Sequence, residues 1–155
     1  MPDPFAVAVV MERRSLANRW QSEAWRVARV VRDEGGASTT SRLPSGEASL
    51  ARWLHRGFIV VLHRDEAEGY YLNLSTDQPV IFVMWRLEEG IGVPKTVTVS
   101  YNEAARMMDG GEQVDAVPLL PEMAVGLAEF TQEHFKPEPK KRARPPSFRG
   151  ARRDE

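Results

Sequence analysis

The spacing of the apolar residues changes near residue 100, and this change constrains the fold more than any other feature of the sequence. Before it, short apolar runs and alternating segments rich in β-branched residues predict strands. After it, apolar residues recur at the spacing of helices. Strands first and helices last are typical of the α+β class, in which helices cover one face or end of an antiparallel sheet.

The first part of the chain predicts about six strands. They are 5–11, 25–32, 57–63, 69–74, 79–87 and 95–99, and residues 49–54 are a further short candidate. A helix over residues 21–33 is the alternative to the second strand, because Ala and Arg favour helices. Residues 35–46 predict a loop from their Gly, Ser and Thr content. Short turns between the strands indicate antiparallel neighbours, so we expect a twisted, barrel-like antiparallel sheet.

Two helices are predicted after the strands. Ser100 and Glu103 have the spacing of a capping box that opens a helix over residues 102–109, and a glycine pair at residues 110–111 ends it. Pro121 is well placed as the first residue of a second helix. One apolar stripe along that helix contains Met123, Leu127, Phe130 and His134. We therefore expect a single α+β domain over residues 1–136.

The formal net charge of −1 hides a strong asymmetry. Residues 136–155 hold eight basic and three acidic residues, a net charge of +5, so the remaining chain carries −6. The segment 137–155 is basic and proline-rich, and it cannot bury enough apolar surface to offset its ordering entropy, so we predict that it is disordered when free. It is either an arm that docks on a partner or a solubilising end. Its candidate partner-binding residues are Lys140, Lys141, Arg142 and Arg144.

Composition excludes several kinds of chemistry. The chain has no cysteine, which excludes a disulfide framework, a thiolate-bound cluster and a cysteine nucleophile. No apolar run approaches the roughly 20 residues of a membrane span, and the first ten residues lack the basic flank of a signal peptide. We therefore expect a soluble, cytoplasmic protein without membrane contact. No serine elbow, phosphate-binding loop or metal motif is present, so we predict no catalytic residue, cofactor or metal ligand.

Three residues nevertheless form the best candidate for a metal patch. His63 and Asp65 share one end of a predicted strand, and His55 lies eight residues earlier. Most metal sites need three or four converging ligands, and this spacing matches no known pattern. The alternative is that both histidines are polar residues that flank a buried strand.

The segment 12–25 (ERRSLANRWQSEAW) has the most unusual composition in the chain. Tryptophan and arginine dominate protein interfaces, through their large area and their planar donor groups. We interpret this segment as a loop between strands and predict that it binds a partner through Arg13, Arg14, Asn18, Trp20 and Trp25. The alternative is that both tryptophans plug the open end of the sheet.

The pattern ERR-x-LAN-x-W-x-x-x-x-W resembles the start of an uncharacterised bacterial family whose genes lie beside those of molybdenum- or tungsten-dependent formate dehydrogenases. Residues 62–86 (LHRDEAEGYYLNLSTDQPVIFVMWR) and residues 97–123 (VTVSYNEAARMMDGGEQVDAVPLLPEM) are similar to the same family. The resemblance covers most of residues 9–135. The family has no established activity, so no catalytic residue is carried over.

The resemblance implies a partner, because formate dehydrogenases need accessory proteins for assembly. It favours a non-catalytic accessory protein or small subunit that contacts the large subunit of formate dehydrogenase. The alternative function is a nucleic-acid-binding regulator that uses the sheet face and the basic tail. In that alternative, bases would stack on Phe58, Tyr70, Tyr71 and Trp85, although these side chains lie in apolar segments where core packing is the simpler explanation. The acidic body makes nucleic acid the less favoured partner.

Overall fold

The structure is a computed structural model that describes residues 5–35 and 37–136. This part of the chain contains seven strands, three α-helices and a short 3-10 turn at Arg64–Glu66. The strands are β1 (Phe5–Ser15), β2 (Glu23–Arg32), β3 (Thr40–Leu43), β4 (Leu50–Val60), β5 (Val80–Glu88), β6 (Ile91–Thr98) and β7 (Gln113–Pro118). The helices are α1 (Ala67–Leu74), α2 (Tyr101–Asp109) and α3 (Pro121–His134).

The strands form two antiparallel sheets. The first has the order β2-β1-β4-β3 and the second has the order β6-β5-β7. A bulge at Gly57 interrupts the pairing of β4 with β1, and its φ of +100° suits a residue without a side chain. The two sheets meet where β2 passes β7, and there the backbone N–H of Val27 donates to the Asp115 carboxylate at 2.8 Å.

The core lies between the two sheets and beneath α1 and α3. Alternation along β1 points Val7, Val9 and Met11 into it, and β5 contributes Ile81, Val83 and Trp85. The predicted stripe of α3 supplies Met123, Leu127 and Phe130, while His134 packs on Phe130 at the edge of the core. Ala8, Val10 and Glu12, on the opposite side of β1, are buried without belonging to this core.

Helix α2 begins as the capping box predicts. The hydroxyl of Ser100 accepts a hydrogen bond from the backbone N–H of Glu103 at 3.1 Å. The helix covers the outer side of the second sheet, where Tyr101 packs edge-to-face on Phe82. Helix α3 begins at Pro121, also as predicted.

The prediction of a strand over residues 69–74 is wrong, because these residues belong to helix α1. Tyr-Tyr-Leu has high β-propensity, but tertiary contacts decide the outcome. The buried Asn73 amide donates to the carbonyls of Val80 and Val99 and accepts from the N–H of Val80, which ties α1 to the ends of two strands. The Tyr70 hydroxyl accepts from the backbone N–H of His63.

The expected single, barrel-like sheet of about six strands is replaced by two open sheets with seven strands in the described residues. Residues 49–54 and 57–63 are largely one long strand, β4, that continues through the Gly57 bulge. The predicted loop 35–46 contains β3, which pairs with β4. The helix alternative for residues 21–33 is wrong, and the α+β class is confirmed. No helix of the described residues is long and apolar enough to cross a membrane.

Candidate functional site

The arginine- and tryptophan-rich segment forms a β-hairpin, and only its middle is a loop. Arg13 and Arg14 lie at the end of β1, and Trp25 lies in β2, so the prediction of a loop over all of residues 12–25 is wrong. In the strand register Arg13 is opposite Trp25. Because successive strand residues point to opposite faces, Arg13 and Arg14 reach different sides of the sheet. The hairpin therefore divides the predicted residues between two surfaces.

Trp25 belongs to a stack of aromatic and guanidinium groups on the inner side of the sheet. Its ring lies 5.2 Å from the ring of Trp53, centroid to centroid, and the planes are tilted by 30°. The Arg13 guanidinium lies 5.2 Å from the Trp53 ring and 6.0 Å from the Trp25 ring. Arg42 approaches the Trp53 ring at 4.9 Å. The two indoles form an aromatic pair, and the arginine contacts fit cation–π attraction. Trp53 and Arg13 thus hold Trp25 in place.

Trp20 has a very different environment. Its side chain is 83% exposed in the loop that joins β1 and β2. The Asn18 side chain accepts a hydrogen bond from the Trp20 backbone N–H at 2.7 Å, and the Arg19 guanidinium lies 5.0 Å from the ring. Because so little of the ring is buried, Trp20 contributes little to the stability of the fold, and its exposure is more consistent with a binding role.

The three tryptophans Trp20, Trp25 and Trp85 line a cleft of about 450 Å³, which we call the tryptophan cleft. Its other walls come from the hairpin loop and from the second sheet, including Leu87, Gly90 and Gln113. Trp85 is 4% exposed, and the indole N–H groups of Trp25 and Trp85 are buried without an acceptor in residues 5–35 and 37–136. Buried donors usually have a partner, so these two are exceptions among the described residues. Other protein atoms cover both nitrogens, so an occupant of the cleft cannot reach them unless the indoles move.

The packing of β6 against the Trp25 ring depends on Gly92. A β-carbon at this position would lie 2.8 Å from Trp25 Cε3 and 3.0 Å from Trp25 Cδ2. Only glycine therefore allows β6 to approach the indole this closely. The two alternatives for the tryptophans were contact with a partner and packing against the sheet. Trp25 packs between the sheets, whereas Trp20 is exposed on the surface and available for a partner.

Sequence reasoning missed several residues of this site. Trp53 and Arg42 lie far from the hairpin in sequence, and only the pairing of β4 with β1 and β3 brings them together. From the sequence, Trp85 is a candidate for base stacking or for core packing, and nothing there connects it to the tryptophans of the hairpin. The signal that could have found Trp53 is its position in a segment, residues 49–54, that already looked like a strand.

A comparison with known protein families matches residues 6–144 to a family described as protein of unknown function (DUF3305). The chain belongs to the DUF3305 family. The match continues beyond Lys136 and so includes the candidate residues Lys140, Lys141, Arg142 and Arg144, which lie outside the described residues. No curated protein and no solved structure matches the chain.

The histidines of this DUF3305 protein have separate environments. The His55 ring lies 3.2 Å from the Thr40 hydroxyl, and burial lowers the pKa of His55. His63 and Asp65 follow β4 and line a pocket of about 420 Å³ beside α3. Among residues 5–35 and 37–136, no three His, Asp or Glu side chains come together in a way that could hold a metal ion.

The four aromatic residues considered for base stacking in the DUF3305 chain do not form one platform. Tyr70 is buried and packs edge-to-face on Phe130, and Trp85 is buried in the core. Phe58 is half-buried against the same core. Tyr71 is exposed on α1 and contacts Phe135. Because two of the four rings are buried and Phe58 is half-buried, this set has no continuous stacking surface.

Proposed function

We propose that this chain is a non-catalytic accessory protein that docks on a larger protein through the tryptophan cleft. The observation that carries the proposal is the 83% exposure of Trp20, beside the cleft that Trp25 and Trp85 also line. Tryptophan has the largest apolar area of any side chain that can be buried on binding. It is also enriched among the residues that dominate protein interfaces.

The composition of the cleft favours a protein side chain as its occupant. Its volume of about 450 Å³ holds more than one side chain. Its walls combine apolar residues with polar ones, namely Trp20, Trp25, Trp85 and Leu87 with Gln21, Ser22, Glu23 and Gln113. Aromatic residues beside polar groups are common at protein interfaces.

We propose the large subunit of a molybdenum- or tungsten-dependent formate dehydrogenase as the partner, in the cytoplasm. This assignment rests on the resemblance of three long segments to a family encoded beside such enzymes. The absence of cysteine favours a role without electron transfer, because the chain has no thiolate with which to bind an iron–sulfur cluster. The basic residues Lys140, Lys141, Arg142 and Arg144 would add a second contact.

Co-purification tests the proposal. The tagged chain, purified from its host during growth on formate, should bring down the large subunit of formate dehydrogenase, and Trp20→Ala should reduce the recovered amount about tenfold or more, as expected for an interface anchor. Val125→Ala is the matched control, because Val125 is also an exposed apolar residue (63%) but lies on α3, which does not line the cleft.

Three results would contradict the proposal. The first is the absence of the large subunit from the purified material. The second is equal recovery with Trp20→Ala and Val125→Ala, which would remove the cleft from the interface. The third is turnover of formate or another small molecule by the isolated chain, which would contradict a non-catalytic role.

A further inference from the structure

The outward side of the first sheet carries four arginines around one buried carboxylate. We call this surface the arginine face; its guanidinium groups belong to Arg14, Arg26, Arg29 and Arg52. Arg26 and Arg52 lie directly opposite Glu12 on the two neighbouring strands, and Arg29 lies opposite Val10. Opposite residues of antiparallel strands share one side of the sheet, so all four point away from the core.

Glu12 fixes two of these arginines in position. It is 1% exposed, and its carboxylate accepts two hydrogen bonds from Arg26, at 2.8 and 3.2 Å, and one from Arg52, at 3.3 Å. Arg14 approaches the same carboxylate at 3.8 Å. A guanidinium that is already held loses less conformational entropy when it binds a further group, so the face is partly preorganised.

The arginine face has more positive charge than the fold neutralises. The four strands of this sheet contain two acidic residues, Glu12 and Glu23, and Glu23 pairs with Arg13 on the inner side. Among these five side chains, four guanidinium groups against one carboxylate leave three positive charges. The nearby Arg56 of β4 is paired with Asp33 and adds no net charge. The side chains of Arg14, Arg26 and Arg52 are 50%, 59% and 38% exposed, so their remaining N–H donors can reach a partner.

We propose that the arginine face binds an acidic segment of a partner protein. Carboxylates match the planar guanidinium donors in charge and in two-point geometry. The same side of the sheet continues into apolar residues, Leu54 opposite Val10 and the exposed Ile59 opposite Ala6. A segment that combines Asp or Glu with apolar side chains would therefore match both parts of the face.

The position of the aromatic residues disfavours nucleic acid at this face. Proteins that bind single strands combine basic groups with aromatic rings on which bases stack. In this sheet, Trp25 and Trp53 lie opposite Arg13 and Met11, on the inner side, and none of the four strands places an aromatic ring among the outward arginines. The face thus offers charge without a stacking platform.

Fluorescence anisotropy with the full-length chain tests this proposal. The probe is a fluorescein-labelled decapeptide of alternating Glu and Leu, and a single-stranded DNA oligonucleotide of the same charge is the competing probe. The double variant Arg14→Gln/Arg29→Gln removes two charges from the face and leaves the hydrogen bonds of Glu12 intact. We expect this variant to bind the peptide about threefold to tenfold more weakly, the range for two partly exposed ion pairs.

Arg86→Gln is the matched control, because Arg86 is also 50% exposed and ion-paired but lies on the second sheet. The basic tail is the same in every variant, so its contribution cancels. Equal weakening by Arg86→Gln, absence of saturable peptide binding up to about 1 mM, or preferential binding of the oligonucleotide would each overturn the proposal. Val125→Ala, at an exposed apolar residue of α3 that belongs to neither surface, should leave peptide binding unchanged.

Discussion

Glu12 shows how one residue organises a surface. A carboxylate with 1% exposure would be costly without partners, but three hydrogen bonds from Arg26 and Arg52 compensate for its lost hydration. The hydrogen bonds from Arg26 hold the pKa of Glu12 below its ordinary value, against the opposing effect of burial. Glu12 thus stays charged at neutral pH, and its stabilising contribution depends on that charge.

Glu12→Gln should lower the free energy of unfolding by about 1–2 kcal/mol at neutral pH. A carboxyl whose pKa is lowered by folding stabilises above its unfolded pKa, and this contribution is lost as the pH falls through the lower, folded pKa. The difference between the two proteins should therefore shrink in acid, below the ordinary pKa of 4.5. Urea unfolding at several pH values measures it, with the exposed Glu129→Gln as control. A difference that is independent of pH would show that the charge of Glu12 is not the cause.

Gly92→Ala tests the packing beneath the aromatic stack. The added methyl group would clash with the Trp25 ring and with the Met11 methyl carbon at 3.1 Å. The flexible methionine can move, but the indole is restrained by its contacts with Trp53 and Arg13. We expect a loss of about 1–3 kcal/mol, typical of overpacking, and a shift of the tryptophan emission. Gly46→Ala, which has no neighbour within 4 Å, should change neither quantity. Equal stability of the two variants would mean that β6 can move away from Trp25.

At the scale of elements, local patterns were sufficient where the decisive contacts are local. The capping box at Ser100 and the proline at residue 121 both mark helix starts correctly, because caps and first-turn prolines act within a few residues. Helix α1 could not be predicted in this way. Its hydrophobic pattern is not strongly amphipathic, and the Asn73 bonds that fix it reach β5 and the end of β6.

The residues of the candidate site also differ in whether local or long-range contacts determine their positions. Trp20 and Trp25 were accessible to sequence reasoning because their hairpin is local. Trp53, Arg42 and Gly92 were not, because their places follow from strand pairing and from the packing of one sheet on the other. The arginine face was missed for the same reason, since Glu12, Arg26 and Arg52 come from three strands.

Asn73→Ala should destabilise the protein by about 2–4 kcal/mol. It would leave the carbonyls of Val80 and Val99 and the N–H of Val80 without the partner that they have now, in a buried place. Asn102→Ala is the control, because Asn102 makes one exposed hydrogen bond to Glu68. Thermal and urea unfolding compare the two. A loss below about 1 kcal/mol for Asn73→Ala would show that α1 is fixed mainly by its apolar contacts.

At the scale of the whole molecule, two candidate contact surfaces lie on different sides of one sheet. The tryptophan cleft opens between the sheets, and the arginine face points outward from β1, β2 and β4. Arg13 and Arg14 are neighbours in sequence, but Arg13 contacts the Trp25 ring on the inner side whereas Arg14 belongs to the arginine face. A partner that engages both would have to wrap around the end of the hairpin.

A chain that ends at Lys136 should unfold at the same urea concentration as the full-length chain. The buried apolar residues of the described core all lie between Val7 and Phe130, and the segment 137–155 holds a single aromatic residue. We therefore expect no change in the midpoint or in the slope of the transition, which follows the surface exposed on unfolding. A midpoint shift equivalent to more than about 1 kcal/mol would place the domain boundary after residue 136.

The hydrogen bond from Val27 to the Asp115 carboxylate has a consequence for the behaviour of the protein at high concentration. Strands at the border of a sheet offer free backbone groups that can recruit foreign strands and start aggregation. Here β2 borders one sheet and β7 borders the other, and a side chain from β7 occupies a donor of β2. The carboxylate thus withdraws one donor at the border of β2 from pairing with a foreign strand, and it does so without extending either ladder.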